Sequence, residues 1–230
     1  MHEKKVKAAI VLSLGLIASS IIFSLAFWYT RSGATTYINV KGLAEREVDA
    51  TIGIWSVKFE SSGNDLNQVN AQIKKQTTTL INFLSEQGFT DKEIIYGHAY
   101  LDDRSKYNDA DKRLKYSAEM EVTIHSPKVS LLYATVQKSQ EIIQKGVFLV
   151  GSRWDRGLRF IFTDLNTIKP SMIQEATINA KKAAQQLASD SAVRLGMLRK
   201  ASQGSFSIED TDVPTRKKVR VVTQMEYAIQ

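Results

Sequence analysis

The residues able to do chemistry in this chain are few and scattered. Histidine occurs three times, as His2, His98 and His125. His2 lies in a basic N-terminus, and His125 precedes Ser126-Pro127. On an unbroken strand His98 and Asp102, four residues apart, would share a face and could help hold a metal. No second histidine is placed to join them, so His98 reads as an exposed or hydrogen-bonded side chain. Asp102, Asp103, Asp109 and Asp111 suggest a calcium loop, but the glycine and closing glutamate of an EF-hand are missing. Arg104, Lys106 and Lys112 would oppose a cation there, so the segment reads as a solvated loop. Cysteine is absent, which removes disulfides, thiolate nucleophiles and Cys-bound zinc. No dinucleotide, Walker or G-x-S-x-G pattern occurs. The expectation is no catalytic residue, no metal and no cofactor; a hydrolase is the disfavoured third possibility.

Two short patterns suggest contact rather than catalysis. In Arg153-Trp154-Asp155-Arg156, an exposed Trp between two Arg would suit a subunit interface, where these types are enriched. It reads equally well as a Trp folded onto a sheet edge beneath snorkelling Arg side chains. Arg216-Lys217-Lys218 reads as a wet strand entrance, though it could touch anionic lipid.

The strongest single signal is at the N-terminus. Ala8 to Thr30 is a stretch of 23 residues without charge, and about 20 suffice for a helix to cross a bilayer. Lys4, Lys5 and Lys7 precede it, while Arg31 alone follows closely. The positive-inside bias then keeps residues 1–7 in the cytoplasm and exports the remainder. Trp28 and Tyr29 fall at the far end, where aromatic rings favour the headgroup zone. Residues 8–30 are thus expected to be a transmembrane anchor, followed by a linker over 31–36 and a periplasmic domain over 37–230. The rival is a signal peptide cleaved after Ala26; either way the domain is exported.

The domain beyond residue 30 carries 28 basic and 23 acidic side chains, a modest and dispersed excess. That argues for an ordinary soluble surface and against nucleic acid as partner. Its apolar periodicity switches repeatedly. Thr36–Gly42 and Ala50–Ser61 read as strands joined by a turn holding Gly42 and Glu45-Arg46-Glu47. Asn64 or Asp65 caps a helix striped by Leu66, Val69, Ile73, Thr77, Leu80 and Leu84, and Gly88 ends it. Ile94–Leu101 is a strand. Leu114, Tyr116, Ala118, Met120, Val122 and Ile124 alternate with polar residues, so this strand buries one face only. A helix from Pro127 to Gly146 follows, then strands over 147–150 and 157–163. A long helix spans about 167–194, with Met172, Ala176, Ala180, Ala183 and Leu187 as its stripe. Strands over 197–208 and 218–229 close the chain. The order ββ-α-ββ-α-ββ-α-ββ predicts an α+β fold: antiparallel sheets of repeated hairpin-helix units, helices packed on one face, preceded by one transmembrane helix.

This order, with the residues at its joints, resembles the SIMPL domain family, which includes YggE-like bacterial envelope proteins. The resemblance spans about Tyr37 to Ile229. Val40-Lys41-Gly42-Leu43-Ala44-Glu45 is similar to the family's V-x-G-x-(G/A)-E opening, and Val48-Asp49-Ala50 stands where Pro-Asp-x-Ala is usual, without the Pro. Asn70, Leu84, Gly88-Phe89, Asp91 and Ile94 resemble the first helix and its exit; Tyr116 and Val122 resemble the central strand. Ala176, Ala180, Lys182-Ala183, Leu187-Ala188 and Leu195-Gly196 resemble the long helix and its exit, with Ala192 where Gly is common. The resemblance implies an exported, non-catalytic protein forming ring- or barrel-like homo-oligomers, associated with envelope and oxidative stress. The expected partners are further copies of the chain and inner-membrane lipid, with no protein partner specified. The alternative is a periplasmic module on a membrane anchor that binds a small molecule or another protein.

Overall fold

The computed structural model describes residues 13, 15–27, 36–103, 114–150 and 157–229. The fold is α+β with antiparallel sheets. Its elements are β1 (Tyr37–Asp49), β2 (Ile52–Gly63), α1 (Leu66–Glu86), a 3-10 turn (Asp91–Glu93), β3 (Ile94–Asp103), β4 (Tyr116–Ser126), α2 (Val129–Gln137), α3 (Ser139–Gln144), β5 (Leu149–Val150), β6 (Leu158–Ile161), α4 (Leu165–Asp190), β7 (Leu195–Gln203), β8 (Ser207–Asp210) and β9 (Arg216–Ile229). Residues 15–27 are helical. Among the described residues no helix is long and apolar enough to cross a membrane. Residues 8–12, 14 and 28–30 of the expected 8–30 span, Trp28 and Tyr29 included, lie outside them, as do Lys4, Lys5 and Lys7.

One sheet has the order β3-β4-β2-β5, with β6 also on β2. Alternation on β2 and β4 sends Trp55, Val57, Phe59, Val122 and Ile124 to one face, where α1, α2 and α3 cover them with Ile73, Leu80, Phe83, Leu84, Leu132 and Ile142. The expected period-two strand is present over Tyr116–Ser126, with Val122 and Ile124 buried and Ala118 and Met120 packed partly buried beside them, while Leu114 precedes the strand and is exposed. Ser56, Lys58, Glu121 and Thr123 occupy the other face: the Cα register sets Ser56 opposite Thr123 and Lys58 opposite Glu121.

The second sheet has the order β1-β9-β7, with β8 on β9. Val219, Val221, Thr223, Met225 and Tyr227 alternate inward along β9. Val40, Ala180, Ala184, Met225 and Tyr227 form one buried cluster. By contact density the chain divides into two compact units. One holds residues 1–44, 173–205 and 221–230, the other 45–172 and 206–220.

Several expected elements differ. β1 runs through Gly42 and Glu45-Arg46-Glu47 instead of turning there. The charges belong to a strand face: Glu45 pairs with Arg220 at 3.6 Å and Glu47 with Arg216 at 3.1 Å. The chain turns at Ala50-Thr51, where Ala50 N–H donates to Thr215 O and Thr51 N–H to Ile161 O. Neighbouring residues thus enter different sheets, and β1 and β2 form no hairpin. β5 and β6 do not pair with each other; both lie along β2, against Lys58–Phe59 and Ile52–Trp55. The helix expected over 127–146 breaks at Lys138 into α2 and α3. The strand expected over 197–208 breaks into β7 and β8.

The long helix buries Met172, Ala176, Ala180, Ala184 and Ala188, while Ala183 and Leu187 are exposed. The stripe follows the i+4 ridge, which winds around the helix axis. Small residues allow close approach, and Gly42 completes it: a Cβ there would lie 2.0 Å from Ala176 O and 2.3 Å from Ala180 N. Asn179 adds a hydrogen bond to Leu43 O at 2.8 Å.

Three helices end in the same way. Phe89 N–H donates to Leu84 O, Val147 N–H to Ile142 O, and Val193 N–H to Ala188 O. These are six-to-one closures that place the preceding residue in the left-handed region. Gly88 and Gly146 occupy it at two ends, with φ of 98° and 88°; at the third stands Ala192, with φ of 53°.

Three substitutions test these contacts by thermal or denaturant unfolding. Gly42→Ala should destabilise by about 1–3 kcal/mol or more, because helix backbone cannot retreat as a side chain can. Ala192→Gly should stabilise by roughly 0.5–1 kcal/mol by relieving the Cβ penalty. Thr223→Val should be neutral or stabilising, since the buried Thr223 hydroxyl has no hydrogen-bond partner among the described residues.

Candidate functional site

The structure separates the residues that looked chemical. His98 and His125 are both exposed. A β-bulge interrupts β3 between Tyr96 and Ala99; beyond it the register is regular, with Asp102 opposite Ser117 on the outward face. Among the described residues no group of three or more His, Asp or Glu could hold a metal. Asp109, Asp111, Arg104, Lys106 and Lys112 lie outside the described residues, as do Arg153, Trp154 and Arg156. Arg216 and Lys217 belong to ion pairs, with Glu47 and Asp210 respectively.

A buried polar cluster that sequence reasoning missed sits where α1 leads into β3. Glu93 is 8% exposed. One carboxylate oxygen accepts from the Ser126 hydroxyl. The other accepts from Thr90 N–H at 2.9 Å, the Thr90 hydroxyl at 2.8 Å and Lys128 Nζ at 3.0 Å. Thr90 and Glu93 form a capping box, and Lys128 Nζ also reaches Gly88 O at 2.8 Å. Burial pushes the Glu93 carboxyl up, but the hydrogen bonds from Ser126, Thr90 and Lys128 outweigh it and hold the pKa at about 2. The signal in sequence was Thr90-x-x-Glu93, a capping-box pattern. Ser126 is fully buried, which denies a substrate access to its hydroxyl. This cluster is a latch joining the start of β3 to the end of β4.

On the outward face of the same sheet the Ser56 hydroxyl donates to Glu121 and lies 2.9 Å from the Thr123 hydroxyl. Hydroxyls and one carboxylate form a polar ladder across β2 and β4 there.

Among the described residues, apolar side chains are exposed in neighbouring groups along β3 and on the N-terminal helix. Along β3, at the end of its sheet, Ile95 is 53% exposed, Tyr96 59%, Tyr100 66% and Leu101 49%. On the N-terminal helix Leu16, Ile17, Ile21, Ile22, Phe23 and Phe27 are all exposed.

The family model for SIMPL, described as a protein of unknown function (DUF541), matches residues 38–228. The chain belongs to the SIMPL family. The match covers nearly the whole α+β region and agrees with the Tyr37–Ile229 resemblance carried by the residues at the joints. No curated protein matches the chain. Among solved structures, a hydrolase from Listeria innocua aligns at 11% identity over 81% of this chain and 91% of its own, with a TM-score of 0.16. A superposition that poor carries no argument about fold or activity.

The latch predicts a pH dependence. A carboxyl whose folded pKa lies below its unfolded value contributes stability above the unfolded pKa, and loses it as pH falls through the folded one. For Glu93 that window runs from about 4.5 down to about 2. Melting temperature should drop over this range, and Glu93→Gln should flatten that part of the profile while lowering stability at neutral pH. Ser126→Ala should cost about 1–3 kcal/mol by leaving a Glu93 carboxylate oxygen without its donor and Lys128 N–H without its acceptor.

Proposed function

We propose that this SIMPL protein is a non-enzymatic, membrane-anchored envelope protein that works by self-association. Residues 8–30 anchor it once in the inner membrane, with residues 1–7 in the cytoplasm and the SIMPL domain in the periplasm. The domain assembles into a closed, ring- or barrel-like homo-oligomer, and its role lies in protecting the envelope under stress, oxidative stress included.

The observation that carries the reading is the pairing of an uncharged 23-residue N-terminal segment, Ala8–Thr30, with a SIMPL domain matched from residue 38. The exposed apolar face of helical residues 15–27 supports it, because such a surface is stable only in lipid or against another protein. Lys4, Lys5 and Lys7 supply the orientation. Tethering to a bilayer raises effective concentration, so weak contacts between domains suffice for assembly. The stress role comes from the family resemblance.

Fractionation and mass measurement test this. The full chain should sediment with membranes and resist carbonate extraction, and removal of residues 1–30 should release the domain as a soluble protein. In mild detergent the intact chain should have the mass of a multimer. Recovery from the soluble cytosolic fraction would remove the anchor from the account, and a monomeric mass would remove the assembly.

A further inference from the structure

We infer that the outer edge of β3 is a self-pairing edge, on which β3 of a second copy docks antiparallel about the bulge at Gly97-His98. The inference deepens the assembly reading and rests on it: this edge joins copies in pairs, and a contact on another surface joins the pairs into the closed assembly.

β3 is the terminal strand of its sheet, so the backbone groups of its outer edge have no strand partner among the described residues. An edge of this kind is a template for another strand. What makes it fit a copy of itself is the sequence read outward from its centre. Ile94-Ile95-Tyr96 precede Gly97-His98, and Ala99-Tyr100-Leu101 follow. Antiparallel pairing about that centre sets Ile94 opposite Leu101, Ile95 opposite Tyr100 and Tyr96 opposite Ala99. Each opposed pair is apolar, while Asp102 and Asp103 fall outside the paired segment.

The bulge makes this pairing geometrically consistent. In an unbroken strand, residues an odd number apart lie on opposite faces, so Ile94 and Leu101 could not both face the core. Here two residues of β3, Gly97 and His98, stand against Glu121 alone on β4, and the parity flips. Ile94, Tyr96, Ala99 and Leu101 are all opposite core-facing β4 residues: Ile124, Val122, Met120 and Ala118. Ile95 and Tyr100 are both opposite outward-facing ones, Thr123 and Glu119. Paired about the bulge, the two strands therefore match face to face, as an isologous two-fold contact requires. Against a strand of arbitrary register the same bulge would blunt pairing. Gly97 is suited to the position, because a Cβ there would lie 2.9 Å from Glu121 O.

The area is consistent with a tethered copy. Four side chains, each about half exposed or more, offer roughly 400 Å² if a large apolar side chain contributes up to about 200 Å². That is below the ~800 Å² per partner of a stable soluble complex, so the contact needs the raised local concentration of a shared membrane.

The chain has no cysteine, so engineered thiols report without background. Opposed Cα atoms in an antiparallel pair lie about 4.5–5.5 Å apart, within disulfide reach; Ile95 and Tyr100 of one strand are about 15 Å apart. Full-length Ile95→Cys and Tyr100→Cys chains, co-expressed and mildly oxidised in membranes, should give a disulfide-linked dimer, and neither alone should. Tyr96→Cys with Ala99→Cys is the second pair, should the first disturb folding. Cross-linking of either single variant alone, or none from either mixture while the wild-type chain retains a multimeric mass in mild detergent, overturns the β3 edge and leaves the assembly standing on another surface. A monomeric wild-type mass overturns the assembly itself, and the edge with it.

Discussion

Both sheets have a defined inward face, and the physical consequences run through the molecule. Alternation on β2, β4 and β9 divides each strand into an apolar row and a wetter row. Helices cover the apolar row of the first sheet, and the outward side is held by polar ladders such as Ser56, Glu121 and Thr123. On the second sheet, cross-strand ion pairs do the equivalent work. Such pairs are worth little individually at the surface. Their effect is to keep the charged part of β1 in register as strand where composition alone suggests a turn.

The helices are fastened by backbone geometry as much as by side chains. Asp65 caps α1 by accepting from Asn67 and Gln68 N–H at 2.8 and 3.1 Å, and three helices leave through the same left-handed closure. At β1, Gly42 lets α4 approach to a distance no other residue permits. Glu93 plays a comparable part at the mouth of β3, anchoring the first residues of an edge strand that otherwise has a partner on one side only. A firmly anchored edge can present a fixed register, which a frayed one cannot.

Residues with functional meaning were legible to different degrees. The capping Asp65, the terminators Gly88 and Gly146 and the inward row of β4 follow from local rules, and the structure contains them. Glu93 carried a local signal, the capping-box spacing, but its burial depends on Ser126 and Lys128, more than thirty residues away. The bulge in β3 left no mark in the sequence beyond Gly97. The α4 stripe moved from Ala183 and Leu187 to Ala184 and Ala188, because burial follows the surface a helix packs against, whereas apolar character alone follows side-chain type.

By itself the sequence determined the class of the fold, the position of most strands and helices, the inward face of β4 and membership of the SIMPL family. These depend on period, caps and motif spacing, which are properties of neighbouring residues. Tertiary structure alone decided which strands pair. Chain neighbours β1 and β2 joined different sheets, and β5 and β6 both lined β2 instead of forming a hairpin. A strand satisfies its backbone equally well against any partner of suitable length, so the choice rests on how distant apolar faces can be buried together, and no local pattern contains that information.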